Sequence, residues 1–559
     1  MPRRRLPGPN VRLRRRLLRR LHQARQAILR RKRQPLGLRR TRALLRSAPR
    51  KRRLPRCVRR KRPPAQGLRL RLALLGKPRQ IAQKLAALTA PRAPPVLRVR
   101  TSIVRPSSPP ILIFTGVRAV DPASNLHENG EPIDVVVEKG IVTRAGKNAG
   151  EGDIRRAPEA RVIHGRNLLL FPAFVDLHAH LREPGQEYKE DIASGLAAAA
   201  AGGFAHVCAM PNTKPVNDTR AVTEAMIARA REIGGPRLHP IGAITVGQKG
   251  AELTEMADLK EAGAVAVSDD GRCVSSSAIM RRALEYAKTF DLPVIQHAED
   301  HALTEGAQMH EGKISTKLGL RGWPRIAEDI IVARDLLLAE LTGARYHVAH
   351  VSSRGSIRLL REAKARGIAV TAEVTPHHLT LTDQALIGYS TACKVNPPLR
   401  EQSDVDALRE ALADGTIDAV ATDHAPHSSL EKDCELAEAS PGMIGLELAL
   451  PLLLDLVKHG AFRLERLVDA LTRAPARIAS LPSPAIKPGA TAELCLVDPE
   501  RTWTVEPARL RSKSTNTPFL GRTVRGRVLM TLAGGTIAFE TDLDQHPALP
   551  EPGTAEGGF

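Results

Sequence analysis

Residues 175–195 read VDLHAHLREPGQEYKEDIASG. An apolar run ends here in two histidines one residue apart, His178 and His180, and an arginine, Arg182, follows two positions later. Imidazoles are costly at the end of a buried strand unless something holds them. At i and i+2 on a strand both side chains point the same way, which suits two adjacent ligands on one metal ion.

Seven further apolar runs follow, and with LLLFPAFVDLHAH (168–180) they make eight: FAHVCAMPNT (204–213), RLHPIGAIT (237–245), AVAVSDDG (264–271), LPVIQHAED (292–300), ARYHVAHVSS (344–353), IAVTAEVTPHH (368–378) and IDAVATDHAPH (417–427). Each opens apolar, as strands buried on both faces do, and most end in His, Asp or Asn. Ala-, Leu- and Glu-rich helical stretches separate them. Eight such βα units predict a (β/α)8 TIM-like barrel over 169–480, with its site at the C-terminal strand ends. A doubly wound sheet is the structural alternative, and it leaves the polar strand ends unexplained.

The barrel is expected as an insertion. Short β-rich runs precede it, ILIFTGVRAV, IDVVVEKGIVTRAG and RVIHGRNLLLF, and others follow it, AELCLVDP, TWTVEP and GRVLMTLAGGTIAF. Together they predict a small β-sandwich domain built from both flanking segments, 111–168 and 484–540, with a C-terminal tail over 541–559.

Composition bounds the partners. The formal charge of +26 suggests a nucleic-acid binder until it is located. Residues 1–105 hold 36 Lys and Arg and no Asp or Glu; the remainder carries 85 − 36 = 49 basic against 59 acidic residues, a net of −10. The head has no aromatic residue and cannot bury enough apolar area to order itself, so it is read as disordered. Three origins fit it: a nucleic-acid- or anion-binding tail, a transit peptide, or an over-long start read from GC-rich DNA. No methionine separates Met1 from Met210. Six scattered cysteines with no CxxC pair argue for a reducing, cytoplasmic setting and against a thiolate zinc site. No apolar run has the roughly 18–20 residues a membrane span needs.

The other strand ends extend the ligand set. His297 closes IQHAED, His350 closes HVAH, Asp269 and Asp270 close AVSDDG, and Asp423 opens DHAPH. Histidines and carboxylates without thiolates suit zinc or a related divalent ion in a catalytic site. Six ligands exceed one tetrahedral ion and fit a two-metal centre, with ions roughly 3.5–4 Å apart and a shared carboxylate. Neighbouring strand residues face opposite ways, so one of Asp269 and Asp270 should face the centre. His206 and His347 lie mid-strand and read as structural, with His347 facing away from His350. His377 and His378 stay undecided, Asp176 is unassigned, and the cysteines read as structural.

VDLHAHLREPGQEYKEDIASG, AMPNTKPVND, SDDG, QHAED, VAHVSS, VNPPLR and ATDHAPH resemble the amidohydrolase superfamily and, within it, class I dihydroorotases. The likeness runs from about Ile111 to Phe539. It implies that His178, His180 and Asp423 hold one metal, that Asp270 bridges, and that His297 and His350 hold the second. It further implies that His180, Arg182, Asn212, Asn396, His427 and the backbone of Pro441 and Gly442 hold dihydroorotate, that Asp423 is the proton shuttle, and that 428–442 is a lid. A guanidinium fork suits the substrate's carboxylate. The cofactor implied is Zn2+, one or two per chain. The partners implied are the small-molecule substrate, other copies of the chain in a homo-oligomer, and an aspartate carbamoyltransferase. Superfamily relatives that open hydantoin or allantoin bridge with a carboxylated lysine, which VSDDG lacks. A hydantoinase or allantoinase and a catalytically silent dihydroorotase-like subunit are the alternatives; a silent subunit should have lost ligands, and all six are present.

Overall fold

The computed structural model describes residues 109–152, 157 and 159–541. The expected basic head, 1–105, and the tail beyond residue 541 lie outside the described residues.

Eight parallel strands run Phe174–Ala179, Phe204–Ala209, Arg237–Gly242, Ala266–Ser268, Val294–Gln296, Tyr346–Val348, Val370–Val374 and Ala419–Val420. Each pairs in parallel with the next in chain order. A bridge between Ala179 and His424 closes the ring, with the His180 amide donating to the His424 carbonyl at 2.8 Å. This is a (β/α)8 barrel. Its helices include Ile192–Ala201, Arg220–Ile233, Ser277–Thr289, Ile326–Thr342, Arg354–Ala365 and Gln402–Asp414. Leu177, Cys208, Ile241, Ala266, Ile295 and Ala419, one from each of six strands, pack in one buried cluster.

The run LLLFPAFVDLHAH is two elements rather than the single strand expected. Leu169–Pro172 pairs antiparallel with Leu494–Val497, and the barrel strand begins only at Phe174. Proline at 172 carries no N–H for a ladder, so the run divides there. The two flanks share one hydrogen-bonded sheet, with 111–119, 133–138, 141–146 and 169–172 from before the barrel and 494–504, 523–533 and 536–540 from after it on one path, and 161–164 pairing off that path with 111–119. Leu112, Phe114, Val135 and Val137 from the first flank and Leu494, Leu496, Leu529 and Leu532 from the second bury one another in a common core. Among the described residues no helix is long and apolar enough to cross a membrane.

Candidate active site

Every barrel strand reaches one rim, and the polar residues collect there. The turn out of the first strand starts at Arg182, in the left-handed region at φ 62°. His350 and Asp423 hold positive φ as well, at 31° and 44°. Such backbone costs a non-glycine residue about 1–3 kcal/mol, and it concentrates at working sites. Gly185, at φ 91°, lies where a Cβ would collide with the Lys214 carbonyl. That close approach sets the loop after strand one against the loop after strand two, and the Asn212 Oδ1 consequently meets His180 Nδ1 at 2.9 Å.

Two triads of ligand atoms form at the rim. His178, His180 and Asp270 make one; Asp270, His297 and His350 make the other. His178 Nε2 lies 3.2 Å from Asp270 Oδ1, and His180 Nε2 lies 3.5 Å from Oδ2. His297 Nδ1 and His350 Nε2 are 2.9 Å apart and 3.6 and 3.5 Å from Asp270 Oδ1. Asp423 Oδ1 joins the first triad, 3.1 Å from His180 Nε2 and 3.6 Å from His178 Nε2. Asp270 therefore belongs to both groups. Asp269 turns the other way and accepts from the Ile244 and Thr245 amides at 2.8 and 3.0 Å.

His178 Nε2 and Asp270 Oδ1 are buried with no hydrogen-bond partner. Orphaned atoms of this kind are costly unless a cation fills the space between them, and a mixed imidazole and carboxylate set fits a divalent ion such as zinc. The electrostatics agree. Burial would lower the His178 pKa, but Asp270, Glu373 and Asp423 outweigh it and raise it well above its usual value. Burial likewise opposes the ionised Asp270, yet His178, His297 and His350 hold it well below the carboxylate range. The pocket is built to hold positive charge. A third group, His310, Glu401 and Asp404, is different. There Arg325 lies 3.3 Å from Glu401 and 2.8 Å from Asp404, so a guanidinium already supplies the cation.

The residues expected to hold substrate surround the triads. Arg182 is buried, donates from Nε to the Pro426 carbonyl at 3.1 Å, and brings an Nη within 3.4 Å of His427 Nε2. Burial pulls its pKa to about 10, with Asp423 and Asp270 opposing. His427 Nε2 lies 2.9 Å from the Pro441 carbonyl, and burial beside Arg182 lowers its pKa to about 3, so it is a neutral imidazole. The Gly442 carbonyl accepts from Lys432 Nζ at 3.0 Å and Asn516 Nδ2 at 3.1 Å, which pins the end of segment 428–442. Asn396 Nδ2 donates to Glu299 at 3.1 Å, and its Oδ1 is buried without a partner.

Two carboxylates at the rim were not anticipated. Glu373 lies 2.8 Å from His178 Nδ1 and 3.2 Å from His347 Nε2. Glu299 lies 3.1 Å from His297 Nε2 and also takes the Asn396 hydrogen bond. Carboxylates on the far nitrogen fix a ligating imidazole's orientation and tautomer. Their signal was available in the sequence: an acid within the apolar run AEVTPHH is as anomalous as the HxH pair. His347, expected to face away from the centre, points into the barrel toward Glu373, because the positive φ at His350 breaks the alternation of the strand. His378 is held by Thr375 and the Pro397 carbonyl, while His377 Nε2 is buried without a partner.

Comparison with known proteins places this geometry. A family profile described as dihydro-orotase-like matches residues 167–356. The chain is 54% identical over 435 residues to a curated dihydroorotase of Anaeromyxobacter dehalogenans, spanning 77% of this chain and 98% of the relative. It is 50% identical over 430 residues to one of Geobacter metallireducens, spanning 77% and 99%. Among solved structures it is similar in fold to the L-hydantoinase of Arthrobacter aurescens, with TM-score 0.67 and 23% identity over 77% of this chain and 96% of that one.

Proposed function

The chain belongs to the dihydroorotase family, and from that premise we propose that it catalyses the reversible, zinc-dependent hydrolysis of (S)-dihydroorotate to N-carbamoyl-L-aspartate, whose ring-closing direction serves pyrimidine synthesis. The observation that carries this reading is the pair of buried triads joined through Asp270. His178, His180 and Asp423 would hold one ion, His297 and His350 the second, and Asp270 both. When bound, one or two zinc ions would supply Lewis acidity toward the ring carbonyl and lower the pKa of water to about 7.

The chain's own residues do the rest. Arg182, with the neutral His427 beside it, grips the substrate carboxylate; Asn212 and Asn396 complete the hold on dihydroorotate, and Asn212 also steadies His180. Asp423 is held ionised: burial would raise its pKa, but His180, His178 and His350 outweigh that. It takes a proton from the attacking water as the new C–O bond forms and returns it to the ring nitrogen as the C–N bond breaks. Gly442 and Pro441 line the pocket through their backbone. A homo-oligomer, an aspartate carbamoyltransferase partner and a cytoplasmic location are further parts of this reading. A hydantoinase is the second enzyme reading, and the aspartate at 270 in place of a lysine stands against it.

The test is a substrate comparison with the full chain. Dihydroorotate should be opened at least about 100-fold faster than hydantoin or allantoin, and Asp423→Asn should lower turnover about 100- to 10,000-fold while most metal stays bound. Preference for hydantoin would refute the substrate, and near-normal rates in Asp423→Asn would refute the shuttle.

A further inference from the structure

Segment 428–442, which leads from the eighth barrel strand to the backbone of Pro441 and Gly442, folds round a buried lysine. Lys432 is 8% exposed, and its Nζ donates to three carbonyls: Ser440 at 2.7 Å, Gly442 at 3.0 Å and Lys394 at 3.4 Å. An ammonium has three N–H donors, so this set uses all of them. Glu431, its neighbour in the chain, turns away and pairs with Lys189 at 2.8 Å. Among the described residues no carboxylate lies in ion-pair range of Lys432. An ammonium buried without a counter-charge is costly, and packing alone would be served better by an apolar side chain.

The three carbonyls mark a junction. The Gly442 amide donates to the Lys394 carbonyl at 2.8 Å, so the end of the segment is tied to the chain two residues before Asn396. Thr391 Oγ1 returns a bond to the Lys432 carbonyl at 2.6 Å. On the other side Gly442, at φ 134°, sits where a Cβ would lie 2.7 Å from the Ala425 Cβ and 3.2 Å from His427 Cδ2. His427 Nε2 lies 2.9 Å from the Pro441 carbonyl. One nitrogen therefore sets the backbone of Pro441 and Gly442 against both Asn396 and His427. These are the residues the proposed reaction assigns to dihydroorotate, and the partners of Lys432 include none of the six metal ligands.

The fold does not need the ammonium to satisfy most of these carbonyls. That of Gly442 also accepts from Asn516 Nδ2 at 3.1 Å, and that of Lys394 from the Gly442 amide. What Lys432 adds is a single charged point through which three pieces of backbone keep a fixed spacing, in reach of the pocket rather than of the metal triads.

We propose that Lys432 is a positioning residue for the substrate, its ammonium holding the Pro441–Gly442 backbone at the spacing from Asn396 and His427 that binding of dihydroorotate requires. The inference deepens the proposed reaction and rests on it for the substrate. Lys432→Met keeps the length of the stem and removes the donors. In the zinc-loaded full chain it should raise KM for dihydroorotate about 10- to 100-fold, with kcat within about threefold and zinc content unchanged. A KM within about twofold of normal, or a loss of kcat and zinc together with KM, overturns the role.

A second measurement uses the unaltered chain. Burial, with Lys394 adding to it, lowers the Lys432 pKa to about 8. A neutral amine has two donors for three carbonyls, so KM should climb at least about threefold between about pH 7 and about pH 9. Of the groups that face Lys432, Glu431 is held at about 2 by Lys189 against the opposing effect of burial, and burial lowers His427 to about 3. Burial pushes the Cys393 thiol up, which leaves Lys394 and Cys434 to be separated. The climb should persist in Lys394→Gln and in Cys434→Ser. A KM flat across that range, or a climb lost in either of these variants, overturns the role. An unaltered chain that leaves dihydroorotate closed overturns the reaction and this role with it; normal ring opening that is indifferent to Lys432 overturns this role alone.

Discussion

Glu373 is wholly buried in the seventh barrel strand, and its carboxylate is held ionised, at about 2, by His178 and His347 against the opposing effect of burial. An ionised carboxylate can only accept, so His178 Nδ1 must donate to it, which leaves Nε2, on the side of Asp270, as the nitrogen that would ligate a metal ion. Replacing Glu373 with Gln removes that control of the tautomer. Metal affinity, measured by equilibrium dialysis against a zinc buffer, should fall about 10- to 100-fold; unchanged affinity would show that the imidazole needs no such support. At this scale the ligand-type residues were legible because a histidine or aspartate ending an apolar run has no cheap structural explanation. Glu373 and Glu299 were harder to read, since the partner that gives Glu373 its meaning lies 195 positions away. His347 was misread for a local reason: alternation is counted along a regular strand, and the chain leaves regularity at His350.

The eighth barrel strand, Ala419–Val420, is the shortest of the ring, tied to the seventh by the Asp418 and Ala421 amides at its two ends. Closure against the first strand is consequently done in part by a side chain. Asp176 accepts from the Thr422 amide at 2.9 Å and from its hydroxyl at 2.6 Å, and burial raises its pKa to about 7. Asp176→Ala would leave the Thr422 amide buried and unpaired and its hydroxyl with only the His178 carbonyl at 3.4 Å, one residue before Asp423. A loss of about 1–3 kcal/mol is expected in denaturant unfolding, together with reduced turnover; full stability would mean that the ladder alone closes the ring. The eight strands were visible as apolar runs of the right length. Their ends were not, because a barrel strand is defined by pairing with its neighbours, and the break at Pro172 depends on a partner, Leu494, far along the chain.

Barrel and sheet meet at a second polar junction. His206 and His239, from strands two and three, lie 2.9 Å apart, and His206 Nε2 lies 3.0 Å from Glu493 on the returning segment. Burial, with His206 and Arg237 adding to it, lowers the His239 pKa from 6.5 to about 3. The fold therefore favours neutral His239, the unfolded chain binds the extra proton between those values, and stability is lost as pH falls through that window. His239→Gln should flatten the fall of melting temperature below pH 6.5, by a few degrees at pH 4.5; an unchanged slope would place the acid sensitivity elsewhere. The inserted architecture could be read from composition alone, since β-rich runs bracket the βα repeats. That both flanks enter one sheet could not, because nothing in either run names its partner. The same sheet sets an order in time. Strand 169–172 leaves the ribosome with one edge bare, and its partner 494–497 follows only after the whole barrel has been made, roughly 15–60 s later at about 5–20 residues per second. For that interval the nascent chain carries an open edge that can recruit another unfinished copy, a hazard that ends only when the returning segment covers it.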